Sequence, residues 1–252
     1  MEADPLIYDW NQLPIEHSRR RVEVVDETLR DGIQGFLPRL PTVDERIELL
    51  TLSASLGIKE ATVGFPAHEQ AFEEALAICA AMAGRRLNMR YGLLGRMKQE
   101  DIDRIRRIRD ESGASVSAWL FLPASTIRSY ADDWSRDELL AMAHRSLGLA
   151  RRHGLPVNFG IEDSARAEPA LIEALIDVAA EQDVETVSLC DTVGHLDPDG
   201  AYRLVRHFRQ LIDQRGYKTR LDFHNHRDRG LGLANALAAI RAVKSSFLSR
   251  SE

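Results

Sequence analysis

"DFHNHRDRGLGLANALAAI", residues 222 to 240, holds one complete βα unit. An apolar-flanked strand carries His224 and His226 to its end, the polar turn "RDRG" follows, and apolar residues from Leu231 onward then recur at helical spacing. Residues two apart on a strand point to the same face, so this strand presents two imidazoles together.

Outward from that unit the same pattern repeats. Strand candidates are "RVEVVDETL" from 21, "EATVGFP" from 60, "LNMRYGLL" from 87, "SVSAWLFL" from 115, "PVNFGIED" from 156, "TVSLCDTVG" from 186 and "TRLDFHNH" from 219. Helical patterns separate them, among them "TVDERIELLTLSASLG", "QEDIDRIRRIRDESG" and "PDGAYRLVRHFRQLIDQRG", several opening on a capping residue or Pro and closing on Gly. Repeated βα units predict parallel strands with right-handed crossovers, in either a closed barrel or an open doubly wound sheet. Strand after strand ends in polar groups: Arg30 and Asp31, Thr62, Glu162 and Asp163, Asp191 and Thr192, His224 and His226. A barrel gathers all its carboxyl strand ends at one mouth, whereas an open sheet spreads them along a crevice. The expected architecture is therefore an α/β fold, a TIM (β/α)8-type barrel with about seven βα units. The barrel is expected over residues 21–243, after an extension at 1–20 and before a tail at 244–252.

Composition narrows the function. The 252 residues are 44% hydrophobic and 29% charged, with a formal net charge of -6, which gives no reason to expect a nucleic-acid partner. The most basic run, Arg104, Arg106, Arg107 and Arg109, alternates with Ile102, Ile105 and Ile108 and reads as the solvated face of an amphipathic helix. No run approaches the roughly 20 apolar residues that span a bilayer, and the acidic, proline-bearing start is unlike a signal peptide. Two cysteines, Cys79 and Cys190, fit a reducing compartment, so a cytoplasmic location is expected. Both read as core thiols rather than nucleophiles.

Two imidazoles and one carboxylate hold a divalent metal facially while leaving positions open for substrate. Asp31, in "DETLRDGIQG", supplies a candidate carboxylate beside Arg30, and a guanidinium there meets negative charge as it develops on an oxygen. The plainer alternatives are one core and one surface histidine, and a charged βα loop with glycine-assisted turns. Glu162, Asp163, Asp191 and Thr192 either orient a small polar substrate or cap the next helix.

Five segments, "DETLRDGIQ", "GFPA", "FGIEDSAR", "DTVGHLDP" and "FHNHRDRGLGLANALAAI", stand in the order seen in the DRE-TIM metallolyase superfamily. The chain resembles its Claisen-condensing members, the 2-isopropylmalate, homocitrate and citramalate synthases, over about residues 21 to 241. The resemblance implies a TIM barrel that binds Mg²⁺, Mn²⁺ or Zn²⁺ and joins acetyl-CoA to a 2-oxo acid, in carboxylic and amino-acid biosynthesis, as a homodimer. It implies Asp31, His224 and His226 as metal ligands and Arg30 as stabiliser of an enolate or alkoxide. Thr192 would contact the 2-oxo acid carboxylate, Glu162 would shape that pocket and contribute to catalysis, and Gln34 is a further substrate-binding candidate. A lyase or aldolase of the same superfamily, or an inactive fragment, is the alternative.

Two departures stand out. Thr62 occupies the place where related synthases carry a glutamate, with Glu60 two residues earlier. The eighth strand and glycine-rich segment of the family are also missing, so an open, incomplete barrel is expected.

Overall fold

The computed structural model describes residues 22–35 and 37–244. The proposed extension at 1–20, and the tail beyond residue 244, lie outside the described residues. In chain order the elements are β1 (Val25–Asp26), α1 (Val43–Ser55), β2 (Glu60–Gly64), α2 (Glu69–Arg85), β3 (Arg90–Arg96), α3 (Gln99–Ser112), β4 (Val116–Pro123), α4 (Thr126–Asp132), α5 (Arg136–Arg152), β5 (Val157–Glu162), α6 (Pro169–Glu181), β6 (Thr186–Asp191), α7 (Pro198–Gln214), β7 (Arg220–Asn225) and α8 (Gly232–Lys244). Every strand pairs in parallel with its sequence neighbours, in the order β1 to β7. The sheet curls as part of a TIM-type barrel, and among the described residues nothing pairs β7 back to β1.

Local chemistry sets the helix boundaries. Thr42 with Glu45, and Ser135 with Glu138, form capping boxes at the starts of α1 and α5. Asp197 caps α7 through the Gly200 N–H at 2.6 Å, and Pro198 fills the first helical position. α3 stops at Gly113, whose φ of 67° is left-handed. The short helix α4 has no counterpart in the sequence reading. It buries no residue and leaves Ile127 and Tyr130 exposed, so it carries no amphipathic stripe to detect.

Most strands are shorter than read, although β4 keeps its eight residues one position later. β1 was expected over 21–29 but pairs at only two positions. β7 stops at Asn225, one residue short of His226. Burial differs as well: seven of the eight β4 residues are buried, whereas none of β7 is.

The pleat divides the sheet into two faces. Outward-facing Leu93, Ala118, Leu120, Phe159, Val187 and Leu189 are fully buried against the helices and form the core. The inner face is polar. Glu60 accepts from Ser117 Oγ at 2.8 Å and Trp119 Nε1 at 3.2 Å, and Ser188 Oγ lies 2.7 Å from Asn158 Oδ1 and 2.6 Å from Asp222 Oδ2. Trp119 fits only because Gly92 faces it: a Cβ there would lie 2.5 Å from the indole Nε1. Barrel interiors are ordinarily filled by layers of branched apolar side chains. Here a hollow of about 1060 Å³ extends from Glu60, Trp119 and Asn158 to Asp222 and His224, and opens between β1 and α8 past Val22, Val24 and Ala239.

Candidate metal centre

The site begins where β1 turns. The Glu27 carbonyl accepts N–H groups from Arg30 at 3.2 Å, Asp31 at 2.9 Å and Gly32 at 3.0 Å, folding the chain into a tight loop. Gly32 lies so close to the preceding turn that a Cβ would sit 2.6 Å from the Thr28 carbonyl oxygen. Glycine is therefore a steric requirement of the loop that carries Asp31.

On the opposite edge of the sheet, β7 delivers the histidines. Their Nε2 atoms lie 3.3 Å apart, with the rings edge-to-face at 5.2 Å. His226 lies one residue past β7, and its ring meets that of His224. Asp31 Oδ2 lies 3.9 Å from His226 Nε2, and one ligand atom from each of Asp31, His224 and His226 falls within 4.8 Å of the other two. Among the described residues this is the one such group.

The donor set suits a divalent cation. The two Nε2 atoms face each other within hydrogen-bond distance, and burial, then the nearby Arg30 guanidinium, push the His224 pKa down. His224 is thereby held in the neutral form that ligates metal. Asp31 adds an anionic oxygen, completing the two-imidazole, one-carboxylate arrangement.

Arg30 belongs to this cluster. Its Nη1 donates to Asp31 Oδ1 at 3.1 Å and its Nη2 to Glu27 Oε2, in a pocket that leaves the side chain 12% exposed. Thr62 Oγ1 donates to the same Glu27 oxygen at 2.7 Å. Thr62, at the place where the resemblance puts a glutamate in related synthases, thus supports a carboxylate from Glu27, one residue beyond β1. Burial raises the Glu27 pKa, and Arg30 and Thr62 pull it back. Sequence reasoning counted Glu27 among the acids of "DETLRDGIQG" but gave it no role; its signal was its place one residue beyond β1, beside Arg30 in the turn.

The other predicted residues separate. The Thr192 hydroxyl oxygen accepts the Asp163 N–H at 2.9 Å, which leaves its own proton free to donate. Glu162, at the end of β5, is half-buried and its pKa is raised by burial, against the pull of Arg128. Both Arg30 and Glu162 lie within electrostatic reach of Cys190. Gln34 is exposed, and its backbone N–H donates to the Asp31 carbonyl at 3.0 Å.

Asp163 and Asp191 do not join the mouth. Asp163, in left-handed backbone at φ 59°, is buried against Arg166, and fully buried Asp191 accepts the N–H groups of His195 at 2.8 Å and Leu196 at 3.1 Å. Both organise loops. The thiols differ as well. Cys79 is core, its pKa pushed up to about 12 by burial. Cys190 is only half-buried and sits in register with His224, facing the mouth rather than the apolar core; burial still raises its pKa, so it is a poor nucleophile.

Fold and site together define an α/β barrel-type chain with a carboxylate and two imidazoles gathered at its mouth. The family model described as HMGL-like matches residues 21–245, so the chain belongs to the HMGL-like family, within the DRE-TIM superfamily. It is 30% identical over 225 residues to a 2-isopropylmalate synthase of Sulfolobus acidocaldarius, covering 88% of this chain and 55% of that one. A 2-isopropylmalate synthase of Brevibacillus brevis is 29% identical over 223 residues, covering 88% and 42%. The chain thus spans about half the length of the curated relatives it matches. Among solved structures, the hydroxymethylglutaryl-CoA lyase of Pseudomonas aeruginosa superposes with a TM-score of 0.71 at 21% identity, covering 89% of this chain and 74% of that one, a likeness of fold. Among the described residues no helix is long and apolar enough to cross a membrane.

Proposed function

We propose that this chain carries the catalytic barrel of an acetyl-CoA-dependent 2-oxo acid synthase, an acyltransferase of the 2-isopropylmalate synthase type. The observation that carries the reading is the convergence of Asp31, His224 and His226 beside a guanidinium bonded to Asp31. The relatives named 2-isopropylmalate synthases support the choice of chemistry.

Asp31, His224 and His226 would hold the metal, Mg²⁺, Mn²⁺ or Zn²⁺. Bound there, a divalent ion supplies Lewis acidity toward the carbonyl of the 2-oxo acid. Arg30, fixed by two carboxylates, presents its remaining N–H groups toward the oxygen that gains charge when the new carbon–carbon bond forms. The free Thr192 proton is donated to the substrate carboxylate. Glu162 closes the side of that pocket, and Gln34 on the exposed loop is at most a peripheral contact. In the overall reaction the acetyl methyl loses a proton and bonds to the carbonyl carbon, the carbonyl oxygen gains a proton, and water cleaves the thioester to release CoA.

Thiol release from acetyl-CoA, assayed with a panel of 2-oxo acids and added Mn²⁺, tests the reading. CoA formation that depends on one 2-oxo acid is expected. Acetoacetate production from 3-hydroxy-3-methylglutaryl-CoA, without any condensation, would replace the synthase by a lyase. Metal binding without either reaction would leave a folded binding barrel.

A further inference from the structure

We propose that Glu27 is a positioning residue of the metal centre: it holds Arg30 on one oxygen of Asp31, so that the other oxygen of Asp31 faces the two imidazoles. The inference deepens the metal-centre reading above and rests on it for its functional meaning.

The contacts form a directed chain. Thr62 Oγ1, on β2, fixes Glu27 Oε2 at 2.7 Å, and the same oxygen takes Nη2 of Arg30. Arg30 Nη1 then engages Asp31 Oδ1 at 3.1 Å, while Asp31 Oδ2 is the oxygen nearest His226, at 3.9 Å. A carboxylate has two oxygens, and this guanidinium occupies one of them. Without Glu27 the planar fork is free to rotate and take Asp31 with both Nη groups, a favoured bidentate geometry that withdraws the oxygen needed for metal. Glu27 thus sets a competition between arginine and cation for Asp31.

Burial supports the assignment: the Arg30 and Glu27 side chains are only 12% and 18% exposed, so water competes little for the guanidinium. The Glu27 main chain works to the same end, since its carbonyl bonds the N–H groups of both Arg30 and Asp31.

The test uses the full 252-residue chain and two readouts, neither of which needs turnover. In ¹⁵N NMR the Arg30 Nη groups, assigned by their loss in Arg30→Gln, are expected to be resolved in wild type and displaced to new resonance positions in Glu27→Gln, where Asp31 takes both. Mn²⁺ titration followed by electron paramagnetic resonance is expected to show a Kd about tenfold higher in Glu27→Gln, with no further rise when the same change is made in Arg30→Gln. Additive losses, or Arg30 signals unchanged in Glu27→Gln, overturn the proposal. If wild type binds no Mn²⁺ the metal-centre reading falls, and the Arg30 signals alone then uphold or overturn the Glu27 clamp. Should Glu27→Gln fail to fold, Thr62→Val is expected to displace the Arg30 signals in the same sense; no change there overturns the proposal as well.

Discussion

At the residue scale the site depends on small geometric allowances. Gly32→Ala places a methyl 2.6 Å from the Thr28 carbonyl, and a clash against backbone costs about 1–3 kcal/mol. A lower midpoint of thermal unfolding together with weaker Mn²⁺ binding is the expected result; an unchanged Mn²⁺ affinity would separate the loop from the site. His224→Ala or His226→Ala removes a proposed ligand outright, so metal affinity should fall by more than the roughly 10–100-fold typical of changes one shell further out. Equilibrium dialysis with Zn²⁺ measures this, and wild-type affinity in both variants would remove the histidines from the assignment. The pairing of His224 with His226 was legible from i, i+2 spacing on a strand. Their meeting with Asp31 was legible only by knowing that first and last strands of a curled sheet approach each other. What Glu27, Thr62 and Arg30 do to one another was not legible, because it depends on side-chain directions around a turn that a one-dimensional pattern does not record.

At the scale of elements, α3 shows how a strand end and a helix start are joined. Asp101, in the first turn of α3, is 1% exposed and accepts the Arg96 backbone N–H at 2.9 Å, its Nε at 2.8 Å and its Nη2 at 2.9 Å. Burial alone would raise the Asp101 pKa, but the hydrogen bonds from Arg96 outweigh it and hold the carboxyl below its usual range. A depressed folded-state pKa stabilises the fold above the ordinary aspartate value, about 3.9, and that stabilisation is lost as the pH falls through the lower folded value. Asp101→Asn should therefore destabilise the chain by about 1–3 kcal/mol at neutral pH. The gap from wild type should close below about pH 4, as read by urea unfolding at several pH values. A gap independent of pH would mean that packing, not charge, carries the effect. The long helices and central strands were readable because they carry apolar periodicity or apolar runs. α4 was not, since it buries nothing, and β1 was placed correctly but read too long.

At the scale of the whole molecule, stability should grade across the sheet. The central strand β4 is almost entirely buried and paired on both sides, whereas β7 has no buried residue and β1 pairs at two positions. Amide hydrogen exchange should accordingly be slowest in β3 to β5 and fastest in β1 and β7. Protection in β7 equal to that in β4 would mean that its outer edge is covered. The Arg220–Glu23 ion pair, at 2.8 Å, links the start of β7 to the residues before β1, but both side chains are more than half exposed. Such a pair contributes at most about 1 kcal/mol and cannot replace a ladder of backbone hydrogen bonds. That seven parallel strands curl round one mouth was read from where the polar residues fall along the chain. That the inner face is a hydrogen-bonded polar surface around a hollow was not, because alternation shows which residues share a face and not what fills the space between them.

Trp119 stands in the wall of that hollow, its indole N–H held by Glu60 and Ser117. Its fluorescence is thus a built-in optical gauge of the barrel interior. Any ligand or polypeptide segment that displaces water there should move its emission toward the blue, a signal that Trp119→Phe would abolish while the emission of the chain's other tryptophans, Trp10 and the half-buried Trp134, remains.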